Sequence, residues 1–358
     1  MRFRSFPLSR FCWLLVAVWP LGLKSQEVPE PAEPIVAWYD VSNWEIEGRA
    51  WTDWERLRWY DRLPAKAEGS VTDRVWDLSR SPTGMMTRFR TDAETIWVDF
   101  ELMSAGLNGV NMSPIGASGV DLYARDDQGQ WRWVESTGPS SITHRAKLVS
   151  GLAPGTREYA MYLPLRNGIE RLAIGVENGE MFEPLAPREI KPIVFYGTSI
   201  NHGASASRPG MVHTAILGRW FDRPVVNLGF SGNGRMDAAV GELMAAQPDI
   251  PIVLVEDRRN TNSWILPARD AHHTANHAAL QECFEQLQAA GFEDLYYIPG
   301  DDLLGHDSEG TADGSHPSDL GFMRQTHCDF VRRSLGEGGS NLVTTRPLQA
   351  SYSTKAKG

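Results

Sequence analysis

The stretch IVFYGTSI, residues 193–200, decides how the second half of the chain is interpreted. A short apolar run ends there in a Gly-Thr-Ser turn, which places Ser199 directly after a predicted strand. Open α/β sheets bind their ligands at the carboxyl ends of their strands. Ser199 is therefore a candidate reactive hydroxyl, although a serine in a turn is by itself commonplace.

Alternating strand and helix patterns continue from this stretch to about residue 335. We expect strands at 193–196, 225–230, 250–256 and 295–298, and helices at 211–220, 236–246, 275–290 and 318–334. Repeated βα units predict a parallel, doubly wound sheet. The loops that follow its strands should meet at one edge.

A second informative stretch is DGSHP, residues 313–317, in the loop before the last predicted helix. His316 precedes a proline, which disfavours a helical conformation and fixes the imidazole on a loop. Asp313 stands three residues before it. With Ser199, these residues supply the three parts of a hydrolytic triad, which is recognised by roles rather than by order along the chain.

The glycine-rich stretch NLGFSGNG, residues 227–234, follows the second predicted strand of this half. Acyl transfer needs donors aimed at the oxygen that becomes negative, and backbone N–H groups near glycine can approach that oxygen closely. Gly232 is the candidate donor. The alternative interpretation is a simple strand-to-helix turn.

Residues 35–187 show a different pattern, with short alternating strands such as 95–100, 119–124 and 171–176. Such spacing predicts a small β-sandwich domain ahead of a second domain at 190–335. Nine of the 13 tryptophans lie between residues 38 and 133. We expect most of them to fill the sandwich core, whereas exposed ones could stack on sugar rings.

The two ends of the chain differ from the rest. Basic residues precede an apolar stretch from Phe11 to Leu23, which predicts a signal peptide over residues 1–25 and a secreted or periplasmic protein. A retained membrane anchor is the alternative, but the apolar run is short and contains Pro20. The tail at 336–358 is rich in Gly, Ser, Thr and Lys and is predicted to be disordered.

Charge and cysteine content exclude several function classes. The net charge is −10, and it becomes −14 without residues 1–25, which disfavours nucleic acid and anionic membranes as partners. Contact with a membrane is expected only during export. Cys283 and Cys328 alone remain after cleavage, so no disulfide framework is predicted, and whether these two pair stays open.

These motifs together resemble the SGNH hydrolases, also called GDSL-type esterases, over roughly residues 190–335. The segments around Ser199, Gly232 and Asp313–His316 look like three of the family's blocks. The closest subgroup carries ASRPG, present at 206–210, and an N-terminal β-domain marked Gly-x-Asp-Leu-Tyr, present at 119–123.

The resemblance implies a flavodoxin-like, three-layer α/β domain with a parallel sheet behind the smaller β-sandwich. It implies a Ser199–His316–Asp313 triad and an oxyanion hole made by the N–H groups of Ser199 and Gly232 with an asparagine amide. It also implies carboxylic ester hydrolysis without a metal or other cofactor. For an exported member with a β-domain, it points to deacetylation of carbohydrates.

One block departs from the family pattern. The usual Gly-x-Asn-Asp after the third strand is replaced by EDRRNTN, residues 256–262. Asn233 is the first candidate for the oxyanion amide and Asn260 the second, with Asn262 behind them. Asp257 and Arg258 either line the acyl or alcohol pocket or form a surface ion pair.

Two other functions stay open at this point. His272, His273 and His277 include an i,i+4 pair that could bind a metal, although no Glu stands between them as a zinc protease requires. Alternatively, the aromatic β-domain binds glycans and the second half is weakly active or inactive.

Overall fold

A computed structural model of the chain describes residues 34–245, 252–292 and 295–327. The predicted signal peptide, the tail at 336–358 and Cys328 lie outside the described residues. Cys283 is exposed and forms no disulfide within the described part. No helix in the described ranges is both long and apolar enough to cross a bilayer.

Two antiparallel sheets make up most of the first half. Its strands are β1 (Val36–Asp40), β2 (Met86–Thr91), β3 (Thr95–Leu102), β4 (Val120–Arg125), β5 (Trp131–Thr137), β6 (Thr143–Ser150), β7 (Arg157–Tyr162), β8 (Ile169–Glu177) and β9 (Phe182–Leu185). One sheet has the order β1-β8-β3-β6 and the other β5-β4-β7-β2-β9. Side chains of both sheets, including Phe100 of β3 and Phe89 of β2, share one buried core. Alternating strands with one apolar face produce this arrangement.

Two short helices interrupt the strands of the first half: α1 (Asp73–Ser79) and α2 (Pro114–Ser118). Thr72 caps α1, since its hydroxyl accepts a hydrogen bond from the Val75 N–H at 3.3 Å. Pro114 begins α2, where the missing N–H costs nothing.

The second half alternates strands and helices. Its elements are β10 (Ile193–Gly197), α3 (His213–Trp220), β11 (Val225–Gly229), α4 (Ala238–Ala245), β12 (Ile252–Val255), α5 (Pro267–Ala289), β13 (Leu295–Ile298) and α6 (Asp319–His327). β10 pairs with β11 and β12 with β13, both in parallel. The turns after β10 and β11 therefore lie side by side, as expected for neighbouring parallel strands.

The prediction that the third helix of this half begins at Ala275 is wrong. Helix α5 begins at Pro267, eight residues earlier. The proline is the usual first-turn residue, but the apolar period that would have marked the helix is missing from this polar segment. All three histidines of the predicted cluster lie on this helix.

The tryptophans expected to fill the core of the first half divide between two cores. Of the nine, Trp44 and Trp59 pack against that core. Trp51, Trp54 and Trp76 instead join a second core. That core also holds apolar side chains of β11 and α4: Val226, Leu228 and Val240. The segment between β1 and β2 thus covers the second half.

A buried arginine reinforces this contact. Arg62 is 1% exposed and donates hydrogen bonds to four carbonyl oxygens, two of them in its own half and two in β11. The β11 acceptors are Asn227 O at 3.0 Å and Gly229 O at 2.7 Å. Burial lowers the pKa of Arg62 to about 9, since carbonyls and not a carboxylate surround it.

The two subgroup motifs meet in a clamp between the halves. The Asp121 carboxylate accepts from Arg208 Nη1 and from the Gly210 N–H, each at 2.8 Å. A Cβ on Gly210 would lie 2.5 Å from the Tyr123 ring, so only glycine fits there. Burial raises the pKa of Asp121 although Arg208 favours its charged form. The Gly-x-Asp-Leu-Tyr motif is therefore an interdomain contact.

Candidate active site

Ser199, His316 and Asp313 form one chain of hydrogen bonds. Ser199 Oγ lies 2.9 Å from His316 Nε2, and His316 Nδ1 lies 2.8 Å from Asp313 Oδ2. An ionised carboxylate only accepts, so the ring proton lies on Nδ1 and Nε2 is free to accept the hydroxyl proton. The structure brings together the three residues that the sequence singled out from positions more than one hundred residues apart.

The Asp313 carboxylate accepts four hydrogen bonds. Oδ1 accepts from the N–H groups of Ser315 at 2.9 Å and His316 at 2.7 Å. Oδ2 accepts from the His316 ring and from Asn111 Nδ2, the latter at 2.9 Å. Partial burial opposes ionisation, but the bonds from His316 and Ser315 outweigh it and lower the pKa of Asp313 to about 2.

Sequence reasoning missed Asn111, which lies in the first half of the chain. It has a backbone φ of +58°, a conformation that asparagine tolerates better than most residues. Apart from that local preference, nothing in the sequence connects it with a residue 202 positions later.

The turn that carries Ser199 packs closely against the turn after β11, and glycines allow this close packing. A Cβ on Gly234 would overlap the Gly197 carbonyl, and one on Gly229 would overlap the backbone of His202. Side chains at these positions would push the two turns apart. Glycine here permits a close approach of backbone to backbone, which explains the glycine-rich sequence.

Candidate oxyanion donors lie at this junction. Within the described residues, the backbone N–H groups of Ser199 and Gly232 donate no hydrogen bond to a protein acceptor. Gly232 has a φ of +70°. Asn233 Nδ2 donates one hydrogen to Ser231 O at 2.9 Å and keeps a second hydrogen for another acceptor. The Asn260 backbone N–H points to His273 Nε2, at 3.2 Å, and Asn262 Oδ1 accepts from Arg269. Which amide serves the hole stays a prediction.

A cationic group lies behind the Gly232 turn. Arg166, from the loop between β7 and β8, donates to Ser231 Oγ. His202 contacts the same hydroxyl at 3.1 Å through Nδ1 and Ser81 Oγ at 2.9 Å through Nε2. Burial lowers the pKa of His202 well below its usual value, with Arg62 and Arg166 adding to the effect. This histidine is therefore neutral, and the positive charge beside the turn is carried by arginine.

The segment EDRRNTN holds the histidine loop. Arg258 is 6% exposed, and it donates to Ser315 O at 2.7 Å and Ser315 Oγ at 2.5 Å. The Thr261 N–H donates to Gly314 O at 3.1 Å. The predicted ion pair between Asp257 and Arg258 is present, but Arg258 itself is buried and is not a surface residue. It fixes the loop next to His316.

The histidines of α5 serve separate partners. His277 donates through Nε2 to Asp257 O at 2.6 Å, and its Nδ1 lies 3.1 Å from Glu256. His273 accepts from Asn260, and exposed His272 contacts Asn276. Among the described residues, no three His, Cys, Asp or Glu side chains are arranged to hold a metal ion. The cluster thus braces the segment that carries Arg258.

Comparison with protein families matches both halves of the chain. Residues 36–182 match the GxDLY domain, described as the N-terminus of SGNH-hydrolase-type esterases. Residues 190–247 and 243–334 match the GDSL-like lipase/acylhydrolase family. The chain is a GDSL-type hydrolase with an N-terminal GxDLY domain. The resemblance deduced from the sequence motifs is confirmed.

Solved structures agree with the family assignment. A Bacteroides ovatus protein assigned as a GDSL-like lipase is 26% identical, with a TM-score of 0.78, over 84% of this chain and 98% of that one. A salicylyl-acyltransferase from a tetracycline biosynthetic pathway is 17% identical, with a TM-score of 0.58, over 85% and 95%. An acetyl xylan esterase from the rumen bacterium Butyrivibrio proteoclasticus is 10% identical, with a TM-score of 0.51, over 84% and 99%. The last two share the fold alone. No curated protein matches the chain.

Proposed function

We propose that this GDSL-type hydrolase is an exported serine esterase that cleaves carboxylic esters through an acyl-enzyme. Ser199 is the nucleophile, His316 the base and Asp313 the orienting acid. The observation that carries the proposal is the continuous hydrogen-bond chain from Ser199 Oγ through the imidazole to the carboxylate.

The proposed reaction has two acyl-transfer steps. His316 Nε2 accepts the proton as Ser199 Oγ attacks the ester carbonyl, and the resulting imidazolium returns it to the leaving alcohol. Water then attacks the acyl-enzyme by the same route and frees the acid. The N–H groups of Ser199 and Gly232, with Asn233 or Asn260, hold the negative oxygen. Arg166 favours that charge from behind the turn.

We also propose how the strands of each half assemble. The parallel pairs β10-β11 and β12-β13 are parts of one sheet in a flavodoxin-like, three-layer domain. The two antiparallel sheets before it form a sandwich. The basic and apolar pattern of residues 1–25 supports export to a secreted or periplasmic location.

For the substrate, we propose an acetylated carbohydrate. Trp264, 77% exposed, follows the segment whose Asn262 lies against Gly314. An exposed aromatic face two residues after the one that contacts the histidine loop suits a sugar ring. Rates on p-nitrophenyl esters of increasing acyl length, followed by acetate release from acetylated xylan and pectin, test this. A preference for long acyl chains would contradict it.

The Ser199→Ala substitution tests the mechanism. It should abolish both ester hydrolysis and labelling by a fluorophosphonate probe while leaving thermal unfolding unchanged, because only the nucleophilic oxygen is removed. Ser70→Ala is the control, since Ser70 is exposed and distant in sequence from the site. Wild-type turnover in Ser199→Ala would overturn the proposal, and an unlabelled, inactive wild-type protein would favour the glycan-binding alternative.

A further inference from the structure

A side chain from the first half of the chain, which matches the GxDLY domain, contacts the carboxylate of the proposed triad. Asn111 Nδ2 donates to Asp313 Oδ2 at 2.9 Å, the same oxygen that accepts from His316 Nδ1 at 2.8 Å. Both lengths are those of good hydrogen bonds. Asn111 therefore shares the atom through which Asp313 acts on the imidazole.

The turn that carries Asn111 is anchored. Gly109 and Met112 close it with two backbone hydrogen bonds, each of 3.1 Å. Met112 is 6% exposed and packs in a core cluster with Ala206 and with Phe322 of α6, the helix that follows His316. The other corner residue, Val110, is 87% exposed and meets solvent. The base of the turn is thus fixed to the hydrolase half while Asn111 reaches the carboxylate.

We propose that Asn111 is a positioning residue for the reaction, so that the GxDLY half completes the acid end of the triad. The inference rests on the proposed function, since it assumes that Asp313 orients His316. A neutral amide that donates to Oδ2 holds the carboxylate in the orientation that meets His316 Nδ1–H. The same hydrogen bond partly neutralises the charge on Oδ2, so the carboxylate stabilises the charged imidazolium less strongly. Asn111 touches no reacting atom and acts through Asp313.

Two variants at residue 111 separate this role from a purely structural one. Asn111→Gly removes the amide and keeps the positive φ without strain. Its kcat should fall about tenfold, with KM within about twofold, as expected for the loss of one hydrogen bond to a charged group. The acid limb of its kcat/KM profile should move to higher pH, because an Asp313 carboxylate with fewer donors stabilises the imidazolium more strongly.

Asn111→Asp keeps the size and the φ but replaces the donor with a second carboxylate beside Asp313. Two carboxylates at that distance share a proton, so the profile should gain an ionisation that the wild type and Asn111→Gly lack. A change in loop shape alone would lower kcat without producing it. Val110→Ser is the matched control and should behave as wild type in kcat, profile and thermal unfolding.

The outcomes distinguish this inference from the proposed function. Wild-type kcat and pH profile in Asn111→Gly, together with no added ionisation in Asn111→Asp, would overturn the positioning role. If Ser199→Ala is inactive in the same assays, the esterase mechanism stands and only this inference fails. Turnover by Ser199→Ala would overturn the mechanism itself.

Discussion

The two ends of the proposed triad are held in place by different means. The serine end depends on backbone packed against backbone, because a methyl group on Gly229 or Gly234 would overlap a neighbouring main chain. The histidine end depends on side chains that come from far along the chain. Arg258 donates a hydrogen bond to Ser315, and Asn111 donates one to Asp313. The first end is specified by local sequence, and the second by tertiary contacts.

This difference predicts how each end fails. A backbone junction cannot yield by side-chain rotation, so any added atom displaces both turns together. A loop fixed by several side chains can lose one of these contacts and keep its backbone conformation. The position of His316 then becomes less precise by a moderate amount. Substitutions at the serine end should therefore be severe, and those at the histidine end partial.

Among substitutions that test how the two ends are held, the largest effect is expected from Gly234→Ala. Its Cβ would overlap the Gly197 carbonyl, so the turn with Gly232 should move away from Ser199. A displacement of about 1 Å costs on the order of a hundredfold in kcat. Gly241→Ala is the matched control, because a Cβ there meets open space on α4 and should leave activity unchanged. Equal activities of the two variants would remove the proposed distinction between the ends.

A smaller effect is expected from Arg258→Gln, which removes the two bonds to Ser315. We expect kcat to fall roughly tenfold to thirtyfold, with a folded protein and a similar KM, since His316 would sample more positions. Arg259→Gln is the control: Arg259 is its neighbour but pairs with Asp270 and Asp301. A loss as large as that of Gly234→Ala would show that both ends are equally rigid.

The smallest effect concerns stability and pH. The folded pKa of Asp313 is about 2, below its ordinary 3.8, so its ionised form stabilises the fold above pH 4 and this contribution is lost as pH falls towards 2. With a third of the side chain exposed, the contribution is on the order of 1 kcal/mol. Urea unfolding of wild type and Asp313→Asn should show a difference that shrinks between about pH 4 and pH 2. A difference independent of pH would contradict the low pKa.

The same contrast explains what the sequence could predict. Ser199 and the Asp313–His316 pair could be singled out because a strand end, a glycine turn and a proline leave local signals. The role of Arg258 was missed because a buried arginine and a surface one look alike in sequence. Asn111 was missed because its contact joins segments 202 residues apart. The start of α5 was predicted wrongly for another reason. A polar helix lacks the apolar periodicity that would mark its beginning.

Arg62 bears on how such proteins can be recombined. Its guanidinium donates to the Asn227 and Gly229 carbonyls, and tryptophans of the same segment between β1 and β2 pack with Val226 and Leu228 of β11. A fragment starting at residue 190, where the second family match begins, would leave those carbonyls without that donor and expose these apolar side chains to water. The border between the two family matches is therefore a poor cutting point for truncation or domain exchange. For engineering purposes, the GxDLY half and the hydrolase half are best transplanted together.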